Sequence, residues 1–127
     1  MSMKGLPEFE YNFEIDVEGE ETKERFKGSF VYARPCIRES SEIAKCKSRL
    51  DGGLTNLDSN VDTLHRALAK LRITLKEYPK WWEESDFGMN LYDFNIISEI
   101  LKRINEFEES FVKKIEEKSV KKKVDEK

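Results

Sequence analysis

Between Phe9 and Val17 every second residue is apolar (Phe9, Tyr11, Phe13, Ile15 and Val17), and acidic or amide side chains fill the positions between them. Successive side chains of a strand point to opposite faces, so this period-two pattern predicts a strand with one buried and one solvated face. Gly19 and its acidic neighbours break the pattern, and alternation resumes as Phe26, Gly28, Phe30 and Tyr32. The two runs read as a β-hairpin over about 8–33, joined by a short acidic turn. An isolated hairpin is marginal in water, so its apolar face must be covered by the rest of the chain, by another subunit, or by both. The acidic outer face of the first strand discourages edge pairing with like-charged partners.

Beyond the hairpin the chain has helical periodicity. Pro35 ends the second strand, and Ile37, Ile43, Ala44 and Leu50 outline a short, weakly amphipathic helix over about 37–50, closed by Asp51-Gly52-Gly53. Leu54 to Asn60 reads as a loop in which Asp58 or Ser59 caps the next helix. Val61, Leu64, Leu68, Leu71 and Leu75 step by three and four residues, predicting a helix over about 59–78 that Pro79 stops. Asn90 and Asp93 have the spacing of a capping box, which places the start of the longest helix at about 91 and its end near 118. Phe94, Ile97, Leu101, Ile104, Phe111 and Ile115 form its stripe. Ile100 and Phe107 widen that stripe beyond what one antiparallel helix would cover, and Glu108 interrupts an otherwise coiled-coil-like seam. Self-association or a helical partner is therefore expected.

The expected architecture is α+β, an N-terminal hairpin packed on a C-terminal bundle of about three helices, forming one domain over 1–118. Residues 119–127 are expected to be a charged, frayed tail. At 127 residues the chain has room for one modest core. Hydrophobic residues make up 38% and charged residues 39%, with mean hydropathy −0.71 and the charges mixed along the chain. No apolar run approaches the roughly 20 residues of a spanning helix, and Met-Ser-Met-Lys-Gly lacks the apolar centre of a signal peptide. The expected location is the cytoplasm of the cell that makes it. A net charge of −3 argues against a nucleic-acid binder. The lysines of 113–127 alternate with Glu116, Glu117, Asp125 and Glu126, which reads as a solvated helix end.

Catalytic and metal chemistry find little footing. His65 is the only histidine and lies at the edge of a helix stripe, where general-base work would still need an orienting partner. Cys36 and Cys46 have neither a neighbouring histidine nor a second cysteine pair, and read as reduced structural thiols. Glu83, Glu84 and Asp86 beside tryptophans could form a glycosidase-like acid pair, but acids are abundant and a chain this short seldom builds the necessary cleft. Asp51-Gly52-Gly53 lacks the lysine and hydroxyl of a phosphate loop. No enzyme activity, cofactor, metal or small-molecule substrate is expected.

The stretch Tyr78 to Asn95 gathers both tryptophans between two helices. Each carries a large apolar surface and a polar tip, so the cluster serves either to plug the junction of hairpin and helices or to dock a partner, with Lys80, Glu83 and Glu84 as a polar rim. Gly88 fits a turn that a Cβ would obstruct. On the docking alternative, the candidate protein-binding residues are Trp81, Trp82, Phe87 and Tyr92 of this stretch with Phe107 and Phe111 of the last helix.

The strand Phe-Glu-Ile-Asp-Val-Glu-Gly, the strand Arg-Phe-Lys-Gly-Ser-Phe, a helix, then Pro-Lys-Trp-Trp and Gly-Met-Asn-Leu-Tyr-Asp-Phe-Asn before a charged helix occur here in that order. This order, over about Phe9 to Phe111, resembles the small tail-assembly proteins of tailed bacteriophages. The resemblance implies a non-enzymatic chaperone, in the host cytoplasm, that keeps the tape-measure protein soluble while the tail tube polymerises, with homo-oligomers expected. It carries over no catalytic residues. The alternatives are a structural virion subunit, such as a head–tail connector or tail component whose hairpin adds strands to a neighbour's sheet, and a host-directed inhibitor that binds a cellular protein.

Overall fold

The computed structural model describes residues 10–125, with side chains through Lys113. Strands β1 (Glu10–Glu18) and β2 (Arg25–Ala33) form the antiparallel hairpin, with Phe13 opposite Phe30 and Ile15 opposite Gly28. Helices α1 (Ile37–Asp51) and α2 (Ser59–Thr74) come next, then β3 (Leu75–Glu77), the short α3 (Lys80–Glu84) and the long α4 (Phe94–Asp125). The fold is α+β, as expected, with a three-stranded sheet in the order β1-β2-β3 and four helices.

The third strand corrects the helix expected over 59–78. Ile73 and Thr74 are β-branched and Tyr78 precedes a proline, so helix propensity fades along this segment. The Thr74 hydroxyl donates to the Lys70 carbonyl at 2.6 Å, and at Leu75 the backbone turns extended. β3 then pairs with Val31 and Tyr32, covering backbone groups that a two-stranded hairpin would leave open. At the other end of the chain, the backbone of 119–125, expected as a frayed tail, continues α4, while the tail's side chains and Phe9 lie outside the described residues.

Local chemistry sets the other boundaries much as the sequence predicts. Gly52 closes α1 in the left-handed conformation, φ +64°, and the Asp58 carboxylate caps α2 by accepting from the Asn60 amide at 3.1 Å. Cys36 and Cys46 are free thiols, the first exposed and the second buried.

Asp93 departs from its expected role as part of a capping box. Its carboxylate reaches across to the hairpin turn and accepts from the Glu21 and Thr22 amides at 2.7 and 3.0 Å and from the Thr22 hydroxyl at 2.6 Å. Asn95 completes the clasp, accepting from the Glu20 amide at 3.1 Å and donating to the Glu18 carbonyl at 2.9 Å. Gly19 makes the approach possible, since a Cβ there would lie 2.4 Å from an Asp93 oxygen. Hydrogen bonds from Thr22, then from the Glu21 amide, hold the Asp93 carboxyl below its usual range despite the opposing effect of burial. A carboxyl lowered by folding stabilises the fold at pH values above its unfolded pKa, about 3.9 for an aspartate, and that contribution is lost as pH falls through the folded value. Thermal melts between neutral pH and pH 3 should therefore show a shallower acid loss for Asp93→Asn, which is also less stable at neutral pH, than for the native chain. Parallel acid profiles would contradict the clasp.

The core lies between the inner face of the sheet and helices α2 and α4. Phe13, Ile15, Phe26, Phe30 and Tyr32 face Leu68 and Leu71 of α2 and Ile96, Ile97, Ile100 and Ile104 of α4. Trp82 fills the junction with no exposed surface, set edge-on to Phe30 and to Trp81 at ring separations of 6.1 and 6.2 Å. Gly88, at φ +91°, gives this ring its room, because a Cβ would come within 2.7 Å of it.

Candidate protein-binding groove

The structure separates the aromatic residues that the sequence grouped as a docking surface. Trp82 and Phe111 are interior, 0% and 5% exposed, which corrects their candidacy, because a buried side chain offers a partner almost no surface in this fold. Phe107 is packed against the core and stacks on Tyr11, rings 4.9 Å apart and nearly parallel. Trp81 is half-buried, its indole N–H donating to the Lys27 carbonyl at 3.0 Å. Phe87 packs edge-on against Tyr78 beneath the Arg72 guanidinium. Tyr92 alone among the six stands free, 73% exposed. With Trp82 interior, only the half-buried Trp81 remains beside Glu83 and Glu84, and Asp86 is paired with Arg72 at 3.2 Å.

The surplus apolar surface lies elsewhere. α4 is rotated relative to the expected stripe, so that Ile96, Ile100 and Ile104 point into the core while Phe94 and Leu101 face the side toward α2. There they meet Val61 and Leu64, the N-terminal end of the α2 stripe, which reaches beyond the sheet's cover. Val61, Leu64, Phe94, Ile97 and Leu101 line an open groove of about 490 Å³, with Asn60, Thr63 and Ser98 as its polar members. Phe94 is 62% exposed and Val61 38%. A second open depression shares Thr63 and Leu101 with it and extends the lining to Ile43 of α1 and to Ala67 and Lys70 of α2. Its floor is α2 and its walls are α4 and α1. The excess apolar width of the last helix was a usable signal in the sequence, but its rotation was not.

Several charged groups around the groove are committed to structure. Lys47 bridges Asp51 of α1 and Asp62 of α2 at 2.7 Å each, His65 Nδ1 lies 2.9 Å from Asp51, and Arg66 pairs with Asp62 at 3.1 Å. Lys47 first, and then His65 for Asp51 or Arg66 for Asp62, hold these carboxyls below their usual range. The histidine read as a boundary residue is thus part of the α1–α2 seam. Glu108, which interrupts the apolar seam of α4, accepts the hydroxyl of the buried Tyr32 and pairs with Arg34 at 2.9 Å. Burial, then the Glu108 carboxylate, pushes the Tyr32 hydroxyl well above its usual range. Arg34 in turn lies 3.8 Å over the Phe111 ring.

Among the described residues no group of three His, Cys, Asp or Glu side chains could hold a metal ion, and no helix is long and apolar enough to cross a membrane. Compared with known proteins, the chain matches no family model, no curated protein and no solved structure.

Proposed function

We propose that this chain works by binding protein, without chemistry of its own, and that it holds an apolar helical segment of a partner in the groove between α2 and α4. The observation that carries this reading is the groove itself. Near their N-terminal ends two helices leave Val61 and Phe94 exposed beside the half-buried Leu64 and Leu101, in the geometry by which helix-in-groove proteins take up amphipathic helices. The resemblance to phage tail-assembly proteins supplies the class of partner. A chaperone in the host cytoplasm would shelter a hydrophobic helical stretch of the tape-measure protein there until the tail tube encloses it, with homo-oligomers as the working form.

Val61 and Phe94 are exposed, so Val61→Asp with Phe94→Asp should leave the fold within about 0.5 kcal/mol of the native chain. Co-expressed with a tape-measure protein, the native chain should keep it soluble and co-elute with it. The double variant should bind at least about thirty-fold more weakly, the loss typical of spoiling a hot spot of about 2 kcal/mol. Undiminished binding by the variant would remove the groove from consideration.

One feature favours a structural virion subunit instead: β1 is a nine-residue edge strand open to strand addition. Against it, α4 already occupies part of that edge, with Arg103 donating to the Glu14 carbonyl and Asn95 to that of Glu18. A subunit would remain in the finished particle, whereas a chaperone would leave it.

A further inference from the structure

Resting on the groove reading, we infer that the occupant is an amphipathic helix carrying a carboxylate two to three turns from the first of its apolar residues, placed to meet Lys70. The chain holds 26 Asp and Glu against 23 Lys and Arg, yet no carboxylate lines the groove. Its charged lining residues are Arg66 and Lys70. Arg66 is already paired with Asp62. Lys70 is half-buried, its ammonium 5.8 Å from the centre of the Tyr32 ring, and among the described residues no carboxylate pairs with it. Glu108, the acid that serves Tyr32, is bound to the tyrosine hydroxyl and to Arg34.

A partly desolvated ammonium without a counter-charge gains from an anion brought to it, and gains more once the partner excludes water from the groove. Lys70 lies nine residues beyond Val61 along the groove floor, about 13 Å at 1.5 Å per residue. An occupant that starts over Val61 and Phe94 therefore reaches Lys70 two to three turns on, close to the side chain that it seats over Leu101. The walls are helices and offer no strand edge, so a helix with side chains interdigitating between α2 and α4 is the fitting shape.

The probes are labelled helical peptides of about 18 residues with a leucine stripe at helical spacing. Each carries Glu, Gln or Lys nine residues from the first leucine, and each is made in both chain directions. Fluorescence anisotropy on the whole protein should show the Glu peptide of one direction binding about ten-fold more tightly than its Lys counterpart, a preference that shrinks as salt is raised. Lys70→Gln should abolish the preference and Lys70→Glu should reverse it. If Glu and Lys peptides bind the native chain equally while Val61→Asp with Phe94→Asp abolishes binding, the carboxylate inference is overturned and the groove reading stands. If no peptide binds, or the groove variant binds as well as the native chain, the groove reading falls and this inference with it.

Discussion

Trp82→Ala should lower the stability of the fold by about 3–5 kcal/mol, the cost of deleting a large buried ring and leaving its cavity. The ring has no exposed surface and is wedged against Phe30 and Trp81, with Gly88 shaped to admit it. It therefore touches the sheet, the loop and the helices at once, and few neighbours can move into the space it leaves. A domain of this size is stable by about 5–15 kcal/mol, so the variant should melt about 10–20 °C lower or fail to fold. Trp82→Phe separates packing from hydrogen bonding. The buried indole N–H has no hydrogen-bond partner among the described residues, so its removal costs no bond, and the phenylalanine variant should retain more than half of the lost stability. Trp81→Ala should cost less than Trp82→Ala, because that ring is half-buried, although its N–H gives up the Lys27 carbonyl. Thermal and urea melts that ranked Trp81 above Trp82 would contradict this account of the core.

Glu108→Ala should cost about 2–3 kcal/mol, mainly because it leaves a buried donor unsatisfied, the Arg34–Glu108 pair itself being only partly buried. It strands two groups at once, the hydroxyl of a fully buried tyrosine and the Arg34 guanidinium. A hydroxyl left without a partner in the interior bears its desolvation penalty alone, about 1–3 kcal/mol. Tyr32→Phe removes the stranded donor, so Tyr32→Phe with Glu108→Ala should be less damaging than the sum of the two single variants. A coupling of about 1–3 kcal/mol in the double-mutant cycle is expected from urea melts. Additive effects would mean that the tyrosine and the glutamate are neighbours without being partners.

The hairpin is legible in the sequence because Phe13, Ile15, Phe26 and Phe30 must alternate to reach one core, and alternation survives any tertiary arrangement. The Gly52 stop and the Asp58 cap are legible for the same reason, since their chemistry is local. β3 is hidden because Leu75 satisfies the helical stripe of α2 and the strand signal at once, and only the open edge of β2 decides between them. Asp93 is hidden likewise, since a cap and a clasp to a turn 71 residues away ask for the same side chain. The burial of Trp82 is not legible in the aromatic stretch, because it depends on the space that Gly88 and the sheet leave for the ring. Glu108 looks like a defect in an apolar stripe until Tyr32 is placed opposite. What the sequence does disclose about the site is quantity, an α4 with more apolar surface than its neighbours cover; where that surface opens depends on the rotation of the helix.

The groove is the claim on which the functional account depends, and amide NMR of the isotopically labelled chain titrated with an amphipathic helical peptide tests it most directly. Shifts concentrated at Val61, Leu64, Phe94, Ile97 and Leu101, and absent from Val61→Asp with Phe94→Asp, are predicted. Shifts confined to the loop around Trp81 and Tyr92, or along the β1 edge, would place the interface elsewhere and contradict the account.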